Sequence, residues 1–213
     1  MCAAVTFGNL RELNLFYEKL SRRGAPDMRL DFVYGDGPCD ADVVLIGEAP
    51  GKDEVLQGRP FVGKAGSILD EILLKTGINR KRLYITNAIK YRLMKEGSRP
   101  GSFKNRPATM PEIRAMLPWL KEEICFIRPK LILTLGNVPL KSLCFASDCG
   151  ILEIGSCHGK AADVRVDSVA TGKLDTKLVP LYHPASQIYN RSLKDVFDAD
   201  FQAVRELLLF LEG

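Results

Sequence analysis

The chain has 213 residues, 46% hydrophobic, 26% charged and 8% aromatic, a composition that buries a sizeable core without cross-links. No apolar run approaches the roughly 18 residues of a membrane span, and Met1 to Gly8 lack the start of a secretory signal. The expectation is a cytoplasmic, monomeric protein of one domain, with residues 1–41 as an N-terminal helix and linker.

The net charge of +4 is unevenly spread. Lys75 to Pro107 hold ten Lys or Arg against one acid, Glu96, the footprint of a polyanion partner. On charge alone, a solvated loop without a ligand is the alternative.

In chain order, Leu10, Leu13, Phe16, Tyr17 and Leu20 recur at helical spacing, with Gly24 and Pro26 beyond them. Gly35 to Asp42 is a turn-rich linker. Asp42-Val-Val-Leu-Ile-Gly47 is a short β-branched run stopped by glycine, the pattern of a buried parallel strand. Leu83 to Asn87, Lys130 to Gly136 and Leu178 to His183 repeat that pattern. Between them, Gly66 to Thr76 predicts a helix ended by Gly77. Thr109-Met-Pro-Glu112 is a capping box for a helix to about Phe126, in which Pro118 is expected to kink or break the chain. Ser192 to Leu211 predicts a last amphipathic helix. Tyr91 to Ala108 is a long basic inserted loop without periodicity. Alternating strands and helices give a three-layer α/β/α sandwich around a four-stranded parallel sheet. Ligands of such sheets lie beyond the carboxyl ends of the strands, here Glu48 to Glu54, Asn87, Asn137 and His183.

Two segments imitate phosphate loops. Gly47-Glu-Ala-Pro-Gly-Lys52 has one residue too few between its glycines, and Gly58-Arg-Pro-Phe-Val-Gly-Lys-Ala65 lacks the metal-binding hydroxyl. Neither supports a nucleotide site. The six cysteines (2, 39, 125, 144, 149 and 157) include no Cys-x-x-Cys pair and read as reduced thiols, so no metal is expected. His158 sits in a poorly patterned segment with no evident site.

Four motifs in order are specific together: Gly47-Glu-Ala-Pro-Gly-Lys-Asp-Glu54, Gln57 to Gly66, Ile85-Thr-Asn-Ala-Ile-Lys90 and Tyr182-His-Pro-Ala-Ser186. From Val43 onwards the chain resembles the uracil-DNA glycosylases, closest to their family 4 branch. The resemblance implies a monofunctional glycosylase of base excision repair that flips uracil out of DNA and hydrolyses its N-glycosidic bond. A relative acting on hypoxanthine or xanthine, and a catalytically dead DNA-binding protein, are the alternatives.

By the same resemblance, Glu48 and His183 are catalytic, the first toward water and the sugar cation, the second toward the leaving base. Phe61 would stack on the base and Asn87 would read its edge, with Ala49, Pro50, Gly51 and Glu54 completing the substrate site. Lys90, Arg92, Gln187, Ile188 and Arg191 are assigned to DNA, Ile188 as an apolar wedge. Tyr189 stands where the family often has arginine. The covalently trapping branch uses a histidine in a loop near Tyr91 to Ala108; this loop has none, so turnover is expected. Family 4 usually carries a [4Fe–4S] cluster on four thiolates. Here the N-terminal helix has no cysteine, and Tyr91 and Met116 stand at the other two ligand positions, so no cofactor is expected.

Overall fold

The structure is a computed structural model and describes residues 6–26, 29–147, 150 and 152–212. Its helices are α1 (Leu10–Gly24), α2 (Lys52–Gln57), α3 (Lys64–Lys75), α4 (Met110–Ile127), α5 (Asn137–Ala146), α6 (Ile154–Cys157), α7 (Ser186–Tyr189) and α8 (Leu193–Glu212). The strands are β1 (Val43–Gly47), β2 (Leu83–Asn87), β3 (Met94–Glu96), β4 (Phe103–Asn105), β5 (Leu131–Leu135), β6 (Ala162–Ser168) and β7 (Gly172–Leu181).

The central sheet has the order β2-β1-β5-β7-β6. Its first four strands are mutually parallel and correspond to the four predicted runs. The sheet nevertheless has five strands rather than four, because β6 pairs antiparallel with β7. β6 buries only Val164 and Val166, between charged neighbours. It therefore lacks the continuous apolar run that marks the other strands.

Alternation along β1 divides the core. Val44 and Ile46 join α4 and α5 residues such as Leu120, Ile124, Leu140 and Leu143 on one face. Val43 and Leu45 join Leu69, Ile72, Leu73, Phe197, Phe201 and Val204 from α3 and α8 on the other. Helices on both faces complete the three layers. α4 runs unbroken through Pro118, contrary to the expected break, with Trp119 and Leu120 buried beside it. Burial on that scale outweighs one lost helical hydrogen bond.

The 29–42 segment covers the outer edge of β2, where Asp36 and Ile85 exchange backbone hydrogen bonds of 2.8 and 2.9 Å. Such cover removes an open sheet edge. α1 docks on α4 through Leu13 and through Asn14, which accepts from the Trp119 indole at 2.9 Å. Phe16 and Leu20 from the predicted stripe remain exposed.

The predicted loop Tyr91 to Ala108 contains a β-hairpin, with β3 and β4 paired antiparallel. No described helix is long and apolar enough to cross a membrane.

Candidate active site

β1 leads to β2 on one side of the sheet, and β5 then lies on the other side of β1. The loops beyond β1 and β5 diverge, opening the crevice in which such sheets bind ligands. Gly47 and Asn87 end β1 and β2 as register partners. A Cβ on Gly47 would lie 2.5 Å from both Asn87 Oδ1 and Phe61 Cζ. Glycine there lets the carboxamide and the aromatic ring both close on the end of β1, where any side chain would collide with them. Asn87 is only 4% exposed, and no hydrogen bond among the described residues engages its carboxamide.

Phe61 is held in an unusual conformation. Its φ of +54° lies in the left-handed region, which a bulky side chain rarely adopts. Two features support it. A Cβ on Gly66 would lie 2.0 Å from the Phe61 carbonyl oxygen, so glycine permits this approach of α3. The Arg80 guanidinium donates to the Pro60 and Phe61 carbonyls at 3.2 Å while pairing with Asp70. The Phe61 ring then faces the His183 imidazole with 6.2 Å between centroids.

His183 follows β7. Its Nδ1 accepts from the Ala185 N–H at 3.2 Å, within the turn that Pro184 begins. A nitrogen that accepts carries no proton, so the neutral ring bears its proton on Nε2. Burial pushes the imidazole pKa below its ordinary 6.5, favouring that neutral form. Gly136, at φ +94°, passes close behind; a Cβ there would touch His183 Cβ at 3.3 Å.

Two acids follow β1 and differ in role. Glu48 is partly buried, and its Oε1 accepts from the Ala108 N–H at 2.9 Å. Glu54 accepts from Gly51 N–H at 3.0 Å and from Val62 and Gly63 N–H at 3.1 and 2.9 Å. It ties the β1 loop to the Phe61 loop. Of the other β1-loop residues, Pro50 is buried and Ala49 packs against the α1 cluster. The site thus combines an aromatic ring, a carboxamide, a neutral N–H donor and a carboxylate at the mouth of one crevice.

A family model for the uracil DNA glycosylase superfamily matches residues 34–208. The chain belongs to the uracil-DNA glycosylase superfamily. It is 34% identical over 179 residues to the type-4 uracil-DNA glycosylase of Archaeoglobus fulgidus, covering 84% of this chain and 83% of that protein. The Saccharolobus solfataricus type-4 enzyme is 34% identical over 181 residues, 84% of this chain and 77% of that protein. The Thermotoga maritima type-4 enzyme is 35% identical over 164 residues, 77% and 75% of the two chains.

Within this uracil-DNA glycosylase fold, the predicted DNA contacts divide. Lys90 is corrected: its side chain is completely buried and cannot reach DNA. Arg92 donates to Asn105 Oδ1 at 2.9 Å and braces the foot of the hairpin. Gln187 turns its amide nitrogen inward, buried without a partner. Ile188 is 52% exposed on α7, and Tyr189 and Arg191 are exposed beyond it. Of the basic block, Lys75 pairs with Asp198, Arg80 with Asp70 and Arg106 with Glu112. Arg106 holds the Glu112 carboxyl down at about 2 and anchors the hairpin to α4.

The residues at the family's cluster positions do not fit a [4Fe–4S] group. Tyr91 and Met116 are buried in one apolar cluster with Leu13, Ile89 and Trp119, and neither supplies a thiolate. Cys125 is buried, and burial pushes its thiol up to about 11, away from the thiolate a metal needs. Cys2 and Cys149 lie outside the described residues. No group of three or more His, Cys, Asp or Glu among the described residues is arranged to hold a metal ion. Protein purified without oxygen is expected to be colourless and free of stoichiometric iron; a brown preparation with about four irons per chain contradicts this.

Sequence reading quoted Gly47 and Gly66 within the motifs without giving either a role in the site, and it missed Arg80 and Ala108. It also missed Glu123, the buried partner of Lys90. One signal for Glu123 was available: Glu122-Glu123 falls between Leu120 and Ile124, on the apolar side of α4.

Proposed function

We propose that this chain is a monofunctional uracil-DNA glycosylase of base excision repair, hydrolysing the bond between an extrahelical uracil and its deoxyribose. The observation that carries the reading is the meeting of the Asn87 carboxamide and the Phe61 ring at Gly47, with the neutral His183 facing that ring. The Asn87 oxygen accepts from uracil N3–H and its amide donates to O4. Cytosine offers the opposite pattern and would leave these buried groups unpaired. Phe61 lies on the base face.

As the bond from N1 to C1′ breaks, its electron pair passes to the base. The His183 Nε2–H donates to uracil O2, where the negative charge gathers. Water then bonds to C1′ of the oxocarbenium-like sugar, and Glu48 takes the proton that water loses. The uracil anion takes up a proton at N1 from solvent and Glu48 gives its proton back to solvent, so the products are neutral uracil and an abasic site. No metal or nucleotide enters any step.

The hairpin supports a DNA partner. Lys95 and Lys104 are direct cross-strand partners, a like-charge pairing that costs stability in isolation. Both are exposed, as are Arg99 at the turn and Phe103. This surface adjoins the site, because Ala108 at its end holds Glu48. Reversing Lys95, Arg99 and Lys104 to glutamate is expected to lower the slope of log affinity against log salt by about 2 to 3. An unchanged slope would remove the hairpin from the DNA interface. Ile188 is proposed to fill the space left by the base, with Arg191 toward a phosphate and no covalent adduct formed.

Asn87→Ala tests the reading. In EDTA, the parent chain should release uracil from DNA, and the variant should be at least about 100-fold slower. Binding to abasic DNA should change little, because phosphate contacts dominate affinity. Uracil DNA left intact by the parent chain sinks the proposal.

A further inference from the structure

An ion pair lies behind Asn87, on the α4 side of the sheet. Lys90 and Glu123 are both completely buried and contact each other. The Lys90 ammonium also donates to Thr86 Oγ1 at 2.6 Å and to the Asn87 main-chain carbonyl at 2.7 Å. Glu123, on α4, accepts from the Tyr84 hydroxyl at 2.9 Å and from Thr86 Oγ1 at 3.2 Å.

The Asn87 carbonyl and the Ala88 N–H belong to one planar peptide unit. The carbonyl end is held by Lys90, and the N–H end donates to the Gly47 carbonyl at 2.8 Å. The plane is therefore clamped at both ends, from the α4 layer and from β1. That clamp sets ψ of Asn87 and, through it, how the residue leaves the strand. The next amide, Ile89 N–H, donates to the Glu48 carbonyl at 2.9 Å, so the same turn also registers the β1 loop.

Stability alone is a poor reason for this pair. Exchanging a buried ion pair for apolar residues of similar volume is often neutral or stabilising. Placement within a reaction site is much less forgiving, since a shift of about 1 Å can cost 100-fold in rate. We infer that Lys90 and Glu123 are positioning residues, which clamp the Asn87 peptide and so aim the carboxamide that meets the base. The inference rests on the base-reading role proposed above for Asn87.

The test is a cycle between the pair and Asn87, read as single-turnover uracil release. The double variant Lys90→Met/Glu123→Met should keep a cooperative thermal transition and its affinity for abasic DNA. It should release uracil at least about tenfold more slowly. Adding Asn87→Ala to it should cost little beyond Asn87→Ala alone, because the pair acts through a carboxamide already removed. If the double variant does not fold, Glu123→Gln takes its place in the same cycle, with a loss of at least about threefold and the same non-additivity. Parent-like rates in the folded variant, or losses that multiply, overturn the inference while leaving Asn87 in its role. A fully active Asn87→Ala overturns both.

Discussion

His183→Ala is expected to release uracil at least about 100-fold more slowly than the parent chain in single turnover, the scale for losing one preorganised donor. Binding of abasic DNA should be nearly unchanged, since the lost interaction strengthens only as the base becomes an anion. The donor is a neutral imidazole, with Nδ1 engaged by Ala185 N–H and its pKa lowered by burial. The sign of the pH effect follows. Below about 6.5 the unfolded chain takes up a proton that the folded pocket refuses, so this group costs stability as pH falls. Catalysis should not show a histidine titration at 6.5, because the folded group titrates lower. Equal rates for the variant and the parent would remove His183 from the leaving-group role.

Glu48→Gln gives the second large effect. The amide keeps an oxygen that can accept from Ala108 N–H, so the local geometry survives while the charge is lost. In the general-base role proposed for Glu48, that loss costs about 100-fold or more. DNA affinity should hold or rise, because a negative charge near the phosphates has gone. A parent-like rate would show that water needs no carboxylate here.

These two positions stood out as site candidates because each lies just beyond a strand with a sharp local signature. Glu48 follows a buried run and glycine, and His183 follows another and precedes proline. Asn87, the last residue of β2, was singled out in the same way. Lys90, three residues later, was misread because lysine is almost never fully buried. Its partner Glu123 is 33 residues distant in the chain, and no local pattern joins them. The hairpin was missed for a different reason. Its strands are three residues each, too short for periodicity, although Pro100-Gly101 marked the turn and Gly101 takes φ +73°. β6 alternates openly, with Val164 and Val166 inward, but it is an edge strand with one polar face. A search for continuous apolar runs passes over such a strand. Phe61 was identified, yet its left-handed backbone depends on Gly66 and Arg80, which lie 5 and 19 residues further along the chain.

The identity of the released base decides between a uracil glycosylase and one for another base. Duplexes that differ only in carrying uracil, hypoxanthine, xanthine or cytosine at one position should be incubated with excess protein in EDTA, and the free base identified by mass. Free uracil and an abasic strand are expected from the first duplex, with cytosine left in place. Release of hypoxanthine or xanthine with uracil untouched, or no base from any duplex, would contradict the uracil reading.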